Sequence, residues 1–498
     1  MSRRGRLGLA VAPLLGALAT LGFAPADRIE VFLAAFAGLI VCLDGAGARR
    51  AALLGWLFGL GYFVVGVSWV YVSMHDVGGM PAALAGLAVV LFAAYLAAFG
   101  ALACAAAGAL GATRGGALLL VLPAAWCVCE WLRGWVFTGF PWLAAGYADS
   151  GGVFAGYAPV LGVYGVGMLN ALAAAGIADL WHRLRSPAGL RPAGRDLAWI
   201  AALAAGALLA RVDWTEPTGA PVTVALLQGN VPQDLKFEEE RFAATLALYE
   251  RLVRAHPADI VVLPETALPR MLHAIPRDYL AALEDAARAR RADIVFGVPI
   301  ADSRERYFNS VASRGASPPQ RYDKAHLVPF GEFVPPGFRW FVDWMRIPLG
   351  DFTRGSAQPR PLALGSQRVA ANICYEDLFG EEIIRQLPEA TLLLNVSNIA
   401  WFGDSLAPHQ HLQISRVRAR ETGRPMLRAT NTGATAVIDA RGGLVDRLPD
   451  FTEGALVARV RGHAGATPYV RTGNAPLIVA CLVVLAVAWR RARGRARA

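Results

Sequence analysis

The stretch QRVAANICYE, residues 367–376, is a short apolar run that reaches a cysteine, Cys374, near its end. Similar β-rich runs alternate with amphipathic helical stretches throughout residues 221–462. Continuous apolar strands placed between helices are typical of a sheet that is covered on its faces. The sequence therefore predicts a layered α/β or α+β domain in which Cys374 lies at the end of a strand.

The other predicted elements of this region follow the same two patterns. Further segments are rich in apolar and β-branched residues and are predicted strands: 222–230, 258–265, 292–300, 306–314, 391–398 and 434–442. Two segments repeat apolar residues at helical spacing and are predicted helices: 237–256 and 275–291.

The composition places this domain in a larger, more apolar chain. Of the 498 residues, 55% are hydrophobic and 17% are charged, and the mean hydropathy is +0.41. A soluble domain is nearer half apolar and a quarter charged. Because the apolar excess lies in the first 210 residues and the last 25, the composition indicates a membrane protein that carries a soluble domain.

Eight apolar segments are candidate membrane spans, since about 20 apolar residues in a helix cross a bilayer. They are 8–24, 29–43, 51–74, 81–111, 116–137, 157–181, 197–211 and 474–490. The second and seventh are short, and the fourth is long enough to tilt. The first could instead be a signal peptide that is cleaved after APA at 24–26, although we expect an uncleaved helix. Gly55 and Gly59 in the third span have the spacing of close helix packing, which chance among 52 glycines also produces.

The arginines give this count an orientation. A net charge of +10 could suggest nucleic acid, but the arginines cluster before span one and after spans two, four, six and eight. With eight spans, all these clusters fall on one side, which the positive-inside rule assigns to the cytoplasm. We therefore expect a multi-pass protein of the bacterial inner membrane with both termini cytoplasmic and no nucleic-acid partner. The predicted domains are a seven-helix bundle at 1–211, a periplasmic domain at 212–462, and a last helix with a basic tail at 463–498.

Three chemically active side chains fall at predicted strand ends: Glu265, Lys324 and Cys374. Functional groups of layered sheets gather at such ends. A thiol attacks as the thiolate, so it needs a base, which Glu265 could supply, and a cation to stabilise negative charge, which Lys324 could supply. Structural interpretations stay open for each residue. Cys374 could be a small core residue, Glu265 a solvated carboxylate, and Lys324 the partner of the aspartate before it.

The motifs around these residues resemble those of the nitrilase superfamily: LPETALP (263–269), YDKAHLVPFGEFVP (322–335) and NICYEDLFG (372–380). That superfamily has an αββα sandwich and a Cys-Glu-Lys triad that acts on C–N or acyl bonds. Other motifs resemble the apolipoprotein N-acyltransferase family: EWLRGWVFTGFPW (130–142), QGNVPQDLKF (228–237), NVSNIAWFGDS (395–405) and RPMLRATNTG (424–433). That family has eight spans with a nitrilase-like domain between the last two, and the resemblance covers nearly the whole chain.

The resemblance implies an N-acyltransferase with a ping-pong mechanism. It implies that an acyl chain leaves a phospholipid such as phosphatidylethanolamine, is held as a thioester on Cys374, and passes to the α-amino group of the diacylglyceryl-cysteine of an apolipoprotein. Glu265 would deprotonate the thiol and later the amine. Lys324 and a backbone N–H near Tyr375 would hold the oxyanion. The sequence contains no metal-ligand cluster and no phosphate-binding glycine loop, so we expect no cofactor and no metal.

Further positions match family motifs as substrate-binding or supporting residues. They are Glu332, Tyr375, Glu376, Asn309, Trp401 and Phe237. Glu332 matches a glutamate that is essential in the family. Its role could instead be structural, namely to orient Lys324. Asn309 could likewise have a purely structural role, in which it caps a turn. At Phe237 better-known members have tryptophan, so a role of an indole N–H is in doubt.

Two other stretches carry expectations. Residues 335–352, PPGFRWFVDWMRIPLGDF, are rich in aromatic residues, which favours a mobile arm at the membrane surface, with core packing as the alternative. Glu130 and Arg133 have i, i+3 spacing at the end of the fifth span, which favours a structural pair.

Two other classes of function fit part of the sequence. One is a membrane-tethered amidase of the nitrilase type that acts on small amides, for which eight spans exceed the needs of an anchor. The other is a transporter with an accessory domain, which the small number of charges within the spans disfavours. His409 and His411 are two apart on a predicted helix and make a poor metal site.

Overall fold

The computed structural model describes residues 3–185, 194–233, 236, 238–335, 337, 339 and 351–497. It divides into two units, and each is described by itself. The helical unit comprises Met1–Val212 and Thr472–Ala498, and the layered unit comprises Asp213–Arg471.

The helical unit contains a helix at each of the eight predicted spans. Its helices are α1 (Arg3–Ala19), α2 (Ile29–Cys42), α3 (Ala48–Gly66), α4 (Trp69–Val72), α5 (Ala82–Ala109), α6 (Gly115–Arg133), α7 (Ala158–Leu184), α8 (Gly194–Leu209) and, near the end of the chain, α14 (Ala475–Arg497). Within the part of the chain that the structure describes, five helical segments are long and apolar enough to cross a membrane: Ala48–Gly66, Ala82–Ala109, Gly115–Arg133, Ala155–Leu184 and Ala475–Arg495. Three apolar helices are shorter: Arg6–Gly22, Ile29–Cys42 and Ala198–Leu209. The membrane-bundle fold is therefore confirmed, while the count of eight crossings stays a prediction.

The third predicted span, 51–74, is wrong as a single helix. α3 ends at Gly66, because Val67 has φ −114° and ψ 23°, which lie outside the helical region. A side chain at Gly66 would collide with the Leu143 side chain, and the Tyr62 hydroxyl donates to the Leu143 carbonyl at 2.8 Å. The break therefore lies where a loop segment packs closely against the helix.

The glycine spacing in α3 does correspond to close helix packing. A Cβ atom on Gly55 would lie 2.7 Å from the Gly100 carbonyl oxygen, and one on Gly59 would lie 2.8 Å from the Ala97 Cα. Both contacts are with α5, so the missing side chains let the two backbones approach.

Glu130 and Arg133 are buried at the end of α6 and hold the loop that follows. Arg133 Nη1 donates to the carbonyls of Phe140 and Trp142 at 2.6 and 2.7 Å, and the Ala145 N–H donates to Glu130 at 2.9 Å. The two charged groups lie 3.8 Å apart. These contacts agree with the predicted structural pair.

The layered unit contains two six-stranded sheets. The first has the order β12-β1-β2-β3-β4-β5, built from β1 (Thr215–Gln228), β2 (Ile260–Val262), β3 (Asp293–Ala301), β4 (Tyr307–Gly315), β5 (Gln320–Asp323) and β12 (Gly454–Gly465). The second has the order β11-β10-β9-β8-β7-β6, built from β6 (Leu362–Leu364), β7 (Gln367–Ile373), β8 (Leu392–Ser397), β9 (Met426–Thr430), β10 (Ala436–Ile438) and β11 (Leu444–Arg447). The central strands β1-β2-β3 and β7-β8-β9 are parallel, and the outer pairs are antiparallel.

The two sheets pack face to face and helices cover their outer faces. Apolar side chains of both sheets form one buried core, for example Leu226 and Val262 with Leu394. On the first sheet lie α9 (Glu239–Ala255) and α10 (Arg277–Arg288), and on the second lie α11 (Gly380–Ile383) and α12 (Leu406–Thr422). A short helix, α13 (Pro468–Thr472), follows β12. This order of layers confirms the predicted αββα sandwich.

Three predicted strands are shorter than the sequence indicated by three residues or more. The segment 258–265 forms a strand only over Ile260–Val262, since Pro264 has no N–H for a ladder. The segment 367–376 ends as a strand at Ile373, because Cys374 has φ +53°. The segment 434–442 pairs only over Ala436–Ile438, after which the chain turns back.

Candidate active site

Cys374 follows the last residue of β7 and begins a short 3-10 helix, Cys374–Leu378. Its φ of +53° lies in the left-handed region, which few residues other than glycine adopt and which costs about 1–3 kcal/mol. Such backbone persists only where its surroundings hold it. The turn places Cys374 beyond the end of the strand, where the sequence predicted it.

Glu376 is the buried carboxylate that holds this turn. It accepts four hydrogen bonds, from the Tyr322 hydroxyl (2.8 Å) and from the N–H groups of Ala325 (2.7 Å), His326 (3.0 Å) and Ile373 (2.7 Å). Burial raises the pKa of Glu376 to about 7 in spite of these donors. Since the donors come from the end of β7, from β5 and from the segment after Lys324, Glu376 connects the two sheets beside the site.

Glu265 and Lys324 are brought together as the sequence predicted. Lys324 Nζ lies 3.6 Å from a carboxylate oxygen of Glu265, and both side chains are buried. Glu265 also accepts a hydrogen bond from Asn309 Nδ2 at 2.8 Å and one from the Asn398 N–H at 2.7 Å. These contacts fix both carboxylate oxygens of the candidate base.

The charges of this pair reach the thiol. Burial, together with the Glu265 carboxylate, raises the pKa of Cys374 to about 12, although Lys324 opposes the shift. Burial alone would lower the pKa of Lys324, but the carboxylates of Glu332 and Glu265 raise it above its ordinary value. At neutral pH the site therefore holds a neutral thiol beside a permanent ammonium group. A thiol in this state would need a base before it could act as a nucleophile.

Glu332 and Asn309 complete the cluster around Lys324. One oxygen of Glu332 lies 2.9 Å from Lys324 Nζ and accepts from Asn309 Nδ2 at 2.8 Å, and the other accepts from the Val328 N–H at 2.8 Å. Asn309 therefore bridges the two carboxylates that flank the lysine. The proposed orienting contact of Glu332 with Lys324 is present, and Asn309 does not cap a turn but lies within β4.

The remaining predicted residues have looser relations to the cluster. The Tyr375 ring is buried, with its centroid 5.2 Å from the Phe379 ring. Trp401 lies in a short 3-10 helix, Ile399–Phe402, and is 41% exposed. Phe237 lies outside the described residues, as does most of the 335–352 segment, so the proposed arm stays a prediction from sequence.

Several residues in contact with the site were not singled out from the sequence. The Asn398 N–H binds Glu265, and Lys236 Nζ donates to the Glu265 main-chain carbonyl at 3.2 Å. Lys236 is buried, and burial lowers its pKa to about 8. Asn395 and His411 both donate to the Cys374 carbonyl. Lys236, Asn395 and Asn398 lie within motifs that carried the family resemblance, which was the available signal.

Comparison with known proteins assigns the chain to a family. Residues 15–176 match the apolipoprotein N-acyltransferase N-terminal domain, and residues 223–469 match the carbon-nitrogen hydrolase family. An apolipoprotein N-acyltransferase of Ralstonia nicotianae is 50% identical, over 98% of this chain and 94% of the relative. The chain belongs to the apolipoprotein N-acyltransferase family. The resemblance of its motifs is thereby confirmed.

A second relative from the same family agrees with this membership. An apolipoprotein N-acyltransferase of Nitrosomonas europaea is 46% identical, over 97% of this chain and 97% of the relative. The crystal structure of a carbon-nitrogen hydrolase from Helicobacter pylori G27 is 17% identical and covers 48% of this chain and 89% of its own, with a TM-score of 0.37. Because the family's match extends through the helical unit, the alternative of a tethered amidase has less support.

Proposed function

We propose that the chain transfers an acyl chain from a phospholipid, with phosphatidylethanolamine as the expected donor, to the N-terminal α-amino group of the diacylglyceryl-cysteine of bacterial apolipoproteins. The observation that carries this proposal is the buried cluster in which Glu265 and Lys324 lie 3.6 Å apart and both act on the charge state of Cys374. Family membership supports the acyl acceptor, and the apolar helices support a donor that resides in a membrane.

The first half-reaction forms a thioester on Cys374. Glu265 removes the thiol proton while Sγ attacks the ester carbonyl carbon of the phospholipid. The negative charge that develops on the carbonyl oxygen is stabilised by the Lys324 ammonium and the Tyr375 N–H. As the intermediate collapses, the C–O bond to the glycerol breaks, and the departing alkoxide takes the proton from Glu265. A lysophospholipid leaves.

The second half-reaction uses the same groups in the same order. The α-amine of the apolipoprotein attacks the thioester carbonyl, and Glu265 accepts a proton from the attacking nitrogen. The oxyanion again faces Lys324. The C–S bond breaks, the sulfur regains a proton, and an amide results. A thioester suits this exchange, since its energy is close to that of an ester and amines attack it readily.

The acyl-enzyme is the species that tests this proposal. Purified protein incubated with phosphatidylethanolamine vesicles should gain the mass of one acyl chain, and peptide mapping should place it on Cys374. Addition of a diacylglyceryl-cysteine peptide should remove that mass and yield the N-acylated peptide. If the mass never appears, or if it lies on another residue, the proposed thioester route is wrong.

The proposed location is the inner membrane, with the layered unit in the periplasm and both termini in the cytoplasm. Single cysteines at Arg251 and Arg491, introduced one at a time in a background in which all six native cysteines are replaced by alanine, test this orientation. In intact spheroplasts a membrane-impermeant maleimide should label the variant at 251. It should label the variant at 491 only after detergent permeabilisation. Equal labelling at 491 from outside would contradict an even number of crossings.

A further inference from the structure

The main-chain carbonyl of the candidate nucleophile is held by two side chains. Asn395 Nδ2 donates to the Cys374 oxygen at 3.1 Å, and His411 Nε2 lies 3.2 Å from the same oxygen. The two donors come from different elements, β8 and α12, and both are buried. They form what we call the carbonyl clamp.

Buried partners fix both side chains of the clamp. Asp377 Oδ1 lies 2.7 Å from His411 Nε2, and Asn372 Oδ1 accepts from Asn395 Nδ2 at 2.6 Å. Arg428 Nη1 donates to Asn395 Oδ1 at 3.0 Å, which settles the orientation of the amide. Since His411 Nε2 faces two acceptors, it carries the proton.

Packing alone does not account for this polar network. Asp377 and Arg428 are both fully buried and 3.2 Å apart. Burying such a pair costs much of what the charges gain by attraction, and an apolar pair of similar volume often packs as well. Through Asn395 and His411 the network reaches the carbonyl oxygen of the strained residue Cys374.

That oxygen belongs to the same planar amide as the Tyr375 N–H. In a trans peptide the C=O and N–H bonds point in opposite directions, so fixing one fixes the other. Hydrogen bonds accepted by the carbonyl also polarise the amide and make its N–H a stronger donor. We infer that Asn395 and His411 are positioning residues that orient the oxyanion-binding N–H of Tyr375 from behind. This inference rests on the proposed function, in which that N–H stabilises the tetrahedral intermediate.

Two reactions of the same sulfur separate this role from a general structural one. Acylation by a p-nitrophenyl ester passes through an oxyanion, whereas alkylation by iodoacetamide displaces iodide and forms none. In His411→Leu, and in Asn395→Asp, which keeps an oxygen for Arg428, acylation of Cys374 should slow by about tenfold to hundredfold with KM little changed. The rate of alkylation should stay within about threefold of wild type, because alkylation forms no oxyanion. A tenfold change would require a change of about 1.4 kcal/mol in the activation free energy. His411→Gln, which restores a donor, should recover most of the acylation rate.

Gln386→Met is the matched control. Gln386 is buried and donates to a different carbonyl of β7, that of Ala371, at 2.9 Å. The Gln386→Met variant should have a lower melting temperature, as the clamp variants should, but its rate of acylation should equal that of the wild type. If acylation and alkylation fall together in the clamp variants, or if acylation does not fall, the inference is overturned. The ester probe is not a phospholipid. The result of this experiment could therefore be interpreted even if phospholipids proved not to be the acyl donor.

Discussion

Replacing Cys374 by alanine is expected to abolish acyl transfer, with a loss on the order of 10⁶ in rate, as for other enzymes that lose their nucleophile. The substitution removes only the sulfur from a site where Glu376 accepts hydrogen bonds from three backbone N–H groups. The protein should therefore fold and insert normally. The measurement is the formation of N-acylated peptide from phosphatidylethanolamine and a diacylglyceryl-cysteine peptide in detergent.

The matched control for this variant is Cys42→Ala, which removes a partly exposed thiol of the helical unit. It should keep the wild-type rate. A Cys374→Ala protein with the wild-type melting temperature and a measurable rate of transfer would show that the acyl chain does not pass through this sulfur.

Glu265→Gln and Lys324→Met should each slow the formation of the acyl-enzyme by about 10³-fold or more. Glutamine keeps the shape of the side chain but cannot accept the thiol proton, whose removal is demanding because the pKa of Cys374 is raised to about 12. Methionine removes the ammonium that offsets the oxyanion and leaves Glu265 and Glu332 without their shared cation. Rapid mixing with phospholipid, followed by intact-protein mass spectrometry, measures the rate directly.

A buried ion pair away from the thiol provides the control. Arg418 and Glu421 are 2.6 Å apart and both are buried. Glu421→Gln changes the same functional group as Glu265→Gln in a comparable environment. It should lower the stability of the protein, but the acylation rate of the folded protein should remain that of the wild type. Normal acylation of Cys374 in both Glu265→Gln and Lys324→Met would mean that the triad is misassigned.

The layered fold was predictable because its central strands are continuous apolar runs. The strands that sequence analysis did not find are of two kinds. β5, β6, β11 and β12 are edge strands, which are short or carry charged residues that discourage pairing with other chains. β9 is an inner strand, but the buried Arg428 interrupts its apolar pattern. The sequence pattern alone cannot distinguish a strand residue whose charge is buried in a polar network from a charged residue in a loop.

The candidate site was predictable where its chemistry lies in side chains. Glu265, Lys324, Glu332 and Cys374 were found from residue type and motif, and the first three lie together in direct contact. Contacts made through the main chain had no such signal. The N–H of Asn398 and the carbonyl of Cys374 are present in every residue type, so only the fold shows that they bind Glu265 and His411.

The raised pKa of Cys374 has a consequence for the survival of the protein. Oxidants such as hydrogen peroxide attack the thiolate far faster than the neutral thiol. A nucleophile that remains protonated until an ester arrives is poorly oxidised to the sulfenic acid and forms mixed disulfides slowly. Burial and the Glu265 carboxylate both favour the protonated form of the resting sulfur. The surroundings of Cys374 are therefore expected to slow the oxidation of the resting thiol.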